Sequence, residues 1–420
     1  MTLMMDVTTM TEDTAEIPLL LPDEYIDDAP SLGTSASKLS DSEINNKYVK
    51  GEVRIVTEQA RYPINSIAGI AEDASYRMSP EYQRRHRWDE GRKSRLIESL
   101  IMNVPVPPIF LYEYDYSKYE VMDGLQRLTA IHEFYRNKFA LSGLAEWPEL
   151  NGRTYEKLPS KVREGIDRRY LSSVILLKET AHSEEDALRL KQLVFERINS
   201  GGVRLSPQES RNALFDGPMN QLCIQLSRNA SLCRLWGVPE ASDQEIEGGL
   251  PSDERITNED FRKMIDVELV LRFFAYRQKH RLHRSGEALS SYFDRYLRKG
   301  NFFPGATLET LGTLFRETIE FAEDLLGYRC FYLYRKRARG GADHWAWRES
   351  PSTTVYDPLM FVLGELLPHK DVLLSKAKKI ETDIEELYKD KYDTFEGRNV
   401  NPSALQQREE HYRTFFNAYL

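Results

Sequence analysis

"VMDGLQRLTAIHEFY", residues 121–135, decides how the first half of the chain folds. Val121 and Met122 read as the end of a strand and Asp123-Gly124 as a break. Leu128, Ile131 and Tyr135 then mark one side of a helix that begins at once. A strand delivered directly into a helix is the joint of an α/β unit. The joint also poses a problem: Arg127 falls in the first helical turn. There the positive end of the helix dipole disfavours a cation by a few tenths to about 1 kcal/mol, so something anionic has to face it.

Working outward, "IFLYEYD" and "YEVMD" predict two strands joined by a polar turn at Tyr116-Ser117-Lys118. Before them, "EYQRRHRWDEGRKSRLIESLIMNVPVPP" predicts an amphipathic helix with Leu96, Ile97, Leu100 and Ile101 on its apolar side. Pro105, Pro107 and Pro108 stop it. Downstream, "YLSSVILLKE", residues 170–179, is the last predicted strand. "EEDALRLKQLVFERIN" is then a helix opened by Ser183 and Asp186 and stopped at Asn199 and Gly201-Gly202. A second capping box, Ser206 with Glu209, opens "QESRNALF". Residues 237–258, acidic and bearing Gly and Pro, predict an exposed linker, and four helical stretches follow it. The expected fold class is α+β. Residues 1–50 form an acidic, mostly disordered arm, 51–180 a small α/β domain, and 181–420 a mainly helical half.

Composition narrows the classes. The chain has 420 residues and a net charge of −9, of which residues 1–50 contribute −7 through ten Asp and Glu against three Lys. The remaining body is therefore near neutral and can still carry basic patches. Cys223, Cys233 and Cys330 show no CxxC spacing, which argues against a disulfide framework or a structural zinc site. No run of about 18 apolar residues occurs and the N-terminus lacks a basic stretch followed by an apolar one, so a soluble cytoplasmic protein is expected. The eight histidines fall in no HxH or HExxH spacing, and GxxxxGK[ST] and GxSxG are absent.

Three clusters can carry chemistry. At Asp123-Gly124-Leu125-Gln126-Arg127, free backbone N–H groups and the helix dipole offer an anion site. Arg127 would grip phosphate oxygens, Gln126 orient a water or base edge, and Asp123 cap the helix or position a metal or water. The same residues also read as a cap, a turn and a surface ion pair, and both readings stand. "YQRRHRW", residues 82–88, interleaves Arg84, Arg85 and Arg87 with aromatics, which suits phosphate contact with base stacking or a solvated turn with Trp88 opening the core. "FERINSGGVRLSPQESRNAL", residues 195–214, groups Arg197, Asn199, Arg211 and Asn212 around one loop. "YLYRKRARGG", residues 332–341, is the most basic run. Arg335, Lys336 and Arg337 there suit nucleic acid or an exposed helix end.

Together, "YQRRHRW", "LIESLIMNVPVPPIFLYE", "VMDGLQRLTAI" and "VFERINSGGVRLSPQESRNAL" resemble the N-terminal domain of GmrSD-type modification-dependent restriction endonucleases, within the wider ParB/sulfiredoxin-like group. The resemblance covers roughly residues 60–215. It implies a ParB/sulfiredoxin-like fold over 51–180 and nucleotide binding and hydrolysis in defence against phage DNA, with an NTP as substrate and Mg2+ as its companion. It further implies catalytic roles for Asp123, Gln126 and Arg127 and nucleotide contacts from Gln83, Arg84, Gly124, Arg127 and Asn199. Leu125 stands where the family's Asp-Gly-Gln-Gln-Arg motif has its first glutamine. No His-x-x-Pro signature of a His-Asn-His nuclease follows residue 215, which implies a sensor or NTPase part working with a partner nuclease or toxin. Two alternatives stay open. One is a metal-dependent DNA endonuclease of ParB-like type with Asp123 as ligand; the other is a non-enzymatic adaptor or antitoxin-like subunit restraining a partner nuclease.

Overall fold

The computed structural model of the chain describes residues 21, 23–24, 40–50, 55–70, 72–78, 85, 88–180, 184–199, 206–284, 286–339, 342–396 and 402–420. They group into two compact units. One is drawn from Asp28–Cys233 and Gly237–Glu268, the other from Met1–Asp27, Arg234–Trp236 and Leu269–Leu420. The architecture is mixed α+β, with one small mixed sheet in the first unit and a mostly helical second unit.

The first unit is organised by strands β1 (Thr57–Pro63), β2 (Tyr76–Arg77), β3 (Ile109–Asp115), β4 (Lys118–Asp123) and β5 (Tyr170–Leu176) in the order β1-β5-β3-β4-β2. β1 with β5 and β3 with β4 are antiparallel, whereas β3 with β5 and β2 with β4 are parallel. Period-two alternation puts Ile109 and Leu111 of β3, Val121 of β4, and Leu171 and Ile175 of β5 into one core. Three helices pack on that core, each with apolar residues at three- and four-residue spacing. Ile64–Ile70 brings Ile64, Ile67 and Ile70; Glu90–Met102 brings Leu96, Ile97 and Leu100; Leu125–Tyr135 brings Leu128, Ile131 and Phe134. Each such side chain, fully buried, contributes roughly 1.5–3 kcal/mol. On the opposite face, helix Glu184–Asn199 sends Lys191 Nζ to both oxygens of Glu120 at 2.7 Å, above the Tyr112 ring. Burial, and then Glu120, push the Tyr112 phenol above its usual range.

Local chemistry accounts for the joints. Asp89 caps Glu90–Met102 by accepting from the Arg92 N–H at 2.7 Å, and Asn103 ends it in the left-handed conformation ahead of the prolines. The β3–β4 turn sits at Tyr116-Ser117, with Ser117 at φ +55° and its N–H donated to Glu113. The Ser206–Glu209 capping box opens helix Pro207–Leu214. Ser183 lies outside the described residues, so its capping box does too.

Several expectations change. Residues 237–258 are not a bare linker. Asp243–Ile246 and Asp253–Thr257 are short helices capped by Ser242 and Ser252, and Glu245 and Arg255 between them are buried against each other at 3.0 Å. The N-terminal arm is largely outside the described residues. Within it Asp41–Lys50 is an exposed helix, whereas Glu24 is buried and takes the Tyr296 hydroxyl at 2.9 Å and Arg277 at 3.3 Å. In the second unit the helices Leu289–Gly300, Gly305–Leu326, Thr353–Glu365, Ala377–Asp390 and Pro402–Asn417 surround an aromatic core that includes Phe273, Phe315, Phe331 and Tyr356. β5 is not the last strand: β6 (Tyr334–Arg339) and β7 (Ala342–Trp347) form an antiparallel hairpin. Among the described residues no helix is long and apolar enough to cross a membrane.

Candidate functional site

The site is assembled where β4 ends. Phe110 pairs with Asp123, but the next residue, Leu111, pairs with Val121. Met122 is thus one residue too many, a bulge that bends β4 as it leaves the sheet. Gly124 follows at φ +94°, and helix Leu125–Tyr135 starts. Only glycine fits this corner. Besides the left-handed φ, a Cβ here would lie 2.4 Å from Ile109 Cγ2.

The anion that faces Arg127 is the chain's own. Arg127 Nη2 donates to Asp123 Oδ2 at 2.6 Å, and Nη1 donates to the Pro107 carbonyl at 3.2 Å. The Arg127 side chain is 12 % exposed and that of Asp123 39 %, so the pair stands at the rim of the corner with its carboxylate turned to solvent. Asp123 Oδ1 has no hydrogen-bond partner among the described residues. Asp123 does not cap the helix: Gly124 holds the cap position, its carbonyl accepts from the Leu128 N–H at 3.0 Å, and no side chain caps the first turn. The first-turn amides therefore keep the capacity to bind an anion that the sequence suggested. Leu125, the first helical residue, is buried at 7 % exposure.

Gln126 joins this corner to the first basic motif, because its Oε1 accepts from the Trp88 N–H at 3.1 Å. Gln83, Arg84 and Arg87 lie outside the described residues. Arg85 is not the surface cation that base and phosphate contact would require. It is 1 % exposed, donates to Asp266 Oδ1 at 2.5 Å, to the Phe261 carbonyl at 3.1 Å and to Ser227 Oγ at 3.2 Å, and stacks on the Phe261 ring. Arg255 covers the same ring, its guanidinium carbon 4.4 Å from the centroid.

The third motif divides. Asn199 is the last residue of helix Glu184–Asn199, and Gly201-Gly202 lie outside the described residues. Arg211 and Asn212 do not face a loop. Arg211 is buried against Glu268 at 3.1 Å and Gln208 at 3.2 Å, and Asn212 accepts from Asn220 at 2.9 Å. Arg335, Lys336 and Arg337 lie in the second unit on strand β6 rather than at a helix end. Lys191 with Glu120, close in sequence to Asp123, was missed; the two are 71 residues apart and no local pattern signals the pairing. Among the described residues no three His, Cys, Asp or Glu side chains converge as a metal site, so Asp123 stands as a lone carboxylate ligand candidate.

A bulged strand, an obligatory glycine and an uncapped helix carrying Asp, Gln and Arg define a polar corner on an α/β domain. Residues 67–215, which contain that corner, match the GmrSD restriction endonuclease, N-terminal domain. The segment is thus of a domain type found in restriction endonucleases, which act on DNA. No curated protein and no solved structure matches the chain.

Proposed function

We propose that the protein is the nucleotide-binding, NTP-hydrolysing component of a bacterial anti-phage restriction system acting on DNA. The observation that carries this is the corner Asp123-Gly124-Leu125-Gln126-Arg127, inside the matched segment, opening a helix whose first turn no side chain caps. Phosphate oxygens would take the first-turn N–H groups and the positive end of the dipole. Arg127 would swing from Asp123 to the phosphates, exchanging one charge-assisted hydrogen bond for a bidentate one. Asp123, so released, would hold Mg2+ or orient the attacking water, and Mg2+ when bound would neutralise charge on the terminal phosphates. Gln126, whose Oε1 accepts from the Trp88 N–H, would hold its side chain fixed beside the phosphates. The cutting of DNA falls to a partner nuclease in this scheme.

The test is equilibrium binding of a fluorescent nucleoside triphosphate, with phosphate release, by wild type, Asp123→Asn and Arg127→Ala. Losing a hydrogen bond to a charged group costs about 1.5–3 kcal/mol, so Arg127→Ala should weaken binding roughly 10- to 100-fold. Asp123→Asn should bind and fail to turn over. Equal behaviour of all three proteins removes the mechanism.

A further inference from the structure

Leu21, Asp23 and Glu24 are the described residues of the chain's first 39, and the Glu24 side chain is fully buried against Arg277, 253 residues later in sequence. The two oxygens of its carboxylate have separate tasks. Oε2 closes a turn within the segment by accepting from the Leu21 N–H at 3.4 Å, while the Glu24 N–H donates to the Leu21 carbonyl at 3.0 Å. Oε1 turns to helices Ile265–Arg277 and Leu289–Gly300, accepting from Arg277 Nη1 at 3.3 Å and from the Tyr296 hydroxyl at 2.9 Å. Gln278 Nε2 donates to the Glu24 backbone carbonyl at 3.2 Å. Side chain and main chain of one residue are thus both gripped.

The slot is built from residues that hold one another. Tyr292, one turn before Tyr296, donates its hydroxyl to the Ala275 carbonyl at 2.7 Å and so ties the two helices together, and the Tyr296 ring packs edge-on against Phe303 at 6.1 Å. The walls are enclosed: the Arg277 side chain is 5 % exposed, Gln278 1 % and Tyr296 0 %. Burial, and then the Glu24 charge, push the Tyr296 phenol well above its usual range, so it stays a donor. A guanidinium and a hydroxyl enclosed together favour a carboxylate over a neutral group. One polar atom of the slot is unused, because Gln278 Oε1 is buried and accepts no hydrogen bond among the described residues. Its amide already lies at the Glu24 main chain, so the slot offers one acceptor more than Leu21, Asp23 and Glu24 take.

We propose that this slot is a docking site for a short acidic peptide of a partner protein, with the chain's own Glu24 turn as the resident ligand that the partner displaces. A free anion would satisfy Arg277 and Tyr296 but leave Gln278 Nε2 without its carbonyl, so the site selects a peptide. The turn closed by Oε2 preorganises the glutamate, which lowers the ordering cost for any segment that adopts it. The unused Gln278 acceptor lets a partner with one further donor outcompete the resident. The inference requires nothing of Asp123 or Arg127 and does not depend on nucleotide hydrolysis.

The experiment is fluorescence anisotropy of a labelled synthetic peptide, residues 17–28 of this sequence, added to the full chain. In wild type the tethered resident competes at an effective concentration on the order of millimolar, so the Glu24→Gln chain, whose resident is weakened, should bind the peptide about tenfold more tightly or better. The same peptide carrying Glu24→Gln should bind that chain roughly 10- to 100-fold more weakly, as expected for loss of a hydrogen bond to a charged group. If circular dichroism shows that the Glu24→Gln chain does not fold, displacement is read on wild type instead. There, excess isotope-labelled peptide should speed hydrogen exchange in the chain's own segment 17–28 and leave segment 289–300 protected. No binding by the folded variant, or no change of exchange in the second assay, overturns the docking site. Equal affinity of the two chains, or of the two peptides, overturns the slot as the place where an acidic peptide binds.

Discussion

Gly124→Ala tests whether the corner that presents Asp123 and Arg127 is as constrained as its geometry implies. Two costs are visible. An alanine held at φ +94° sits in left-handed territory, worth about 1–2 kcal/mol. Its Cβ would also fall 2.4 Å from Ile109 Cγ2 and 2.9 Å from Ile109 Cβ, against a fully buried core side chain that has no room to retreat. Overpacking of that kind typically costs a further 1–3 kcal/mol. The sum, roughly 2–5 kcal/mol, should appear as a lower urea midpoint for the first unit. Pulsed hydrogen exchange of peptides spanning 109–135 in the full chain reads that unit alone. The clash component is separable, because Ile109→Ala removes Cγ2 and should cost less in the Gly124→Ala background than in wild type by at least about 1 kcal/mol of coupling. A loss below about 0.5 kcal/mol, or strict additivity of the two substitutions, would refute the steric argument and with it the claim that glycine is obligatory.

Two further outcomes are expected on stability. Arg85→Met should destabilise the first unit by about 3–5 kcal/mol in urea unfolding, because Asp266 is left buried without its cation, and adding Asp266→Leu should recover a large part of that loss. In the second unit, burial drives Lys279 down from 10.5 to about 8, with Asp357 and Glu409 opposing it and Arg272 and Arg408 adding to it. Its unfolded form keeps a proton that the folded form has lost between those values, so this lysine makes the unit more stable as pH rises from about 8 to about 10.5. At about 1.4 kcal/mol per tenfold change in proton affinity, the difference amounts to ~3 kcal/mol. Lys279→Met should erase that component and be the more stable protein at neutral pH. Identical stability differences between wild type and variant at pH 7 and pH 10 would contradict it.

Elements set by neighbours in sequence were legible. The turn at Ser117, the capping box at Ser206 and the strand-to-helix break at Gly124 were read from neighbouring residues, and the structure has all of them. The core stripe Leu96, Ile97 and Leu100 is equally local. What failed depended on distance. Arg85 looks like a surface cation until Asp266, 181 residues later, comes to meet it. The acidic, Gly- and Pro-bearing stretch 237–258 resembles a linker because nothing nearby announces that Glu245 and Arg255 bury each other. "YRKRAR" has residues that favour helices, and only pairing with the Trp345 and Trp347 strand draws it into a hairpin. At the candidate site, the residue types were legible and Arg127's partner was not: Asp123 was weighed as cap or ligand, and it serves first as the counter-ion.

The two arginines stacked on Phe261 bear on where this protein can be divided. The recognisable domain ends at residue 215, yet Arg85, inside it, is neutralised by Asp266, and Arg211 by Glu268. Cutting the chain at 215 would take Asp266 and the Phe261 ring from Arg85, and Glu268 from Arg211. The smallest piece that evolution or an experimenter could transplant intact therefore extends through residue 268. The boundary of the matched segment and that of the compact unit differ by some fifty residues, and Asp266 and Phe261 among them hold Arg85 in place.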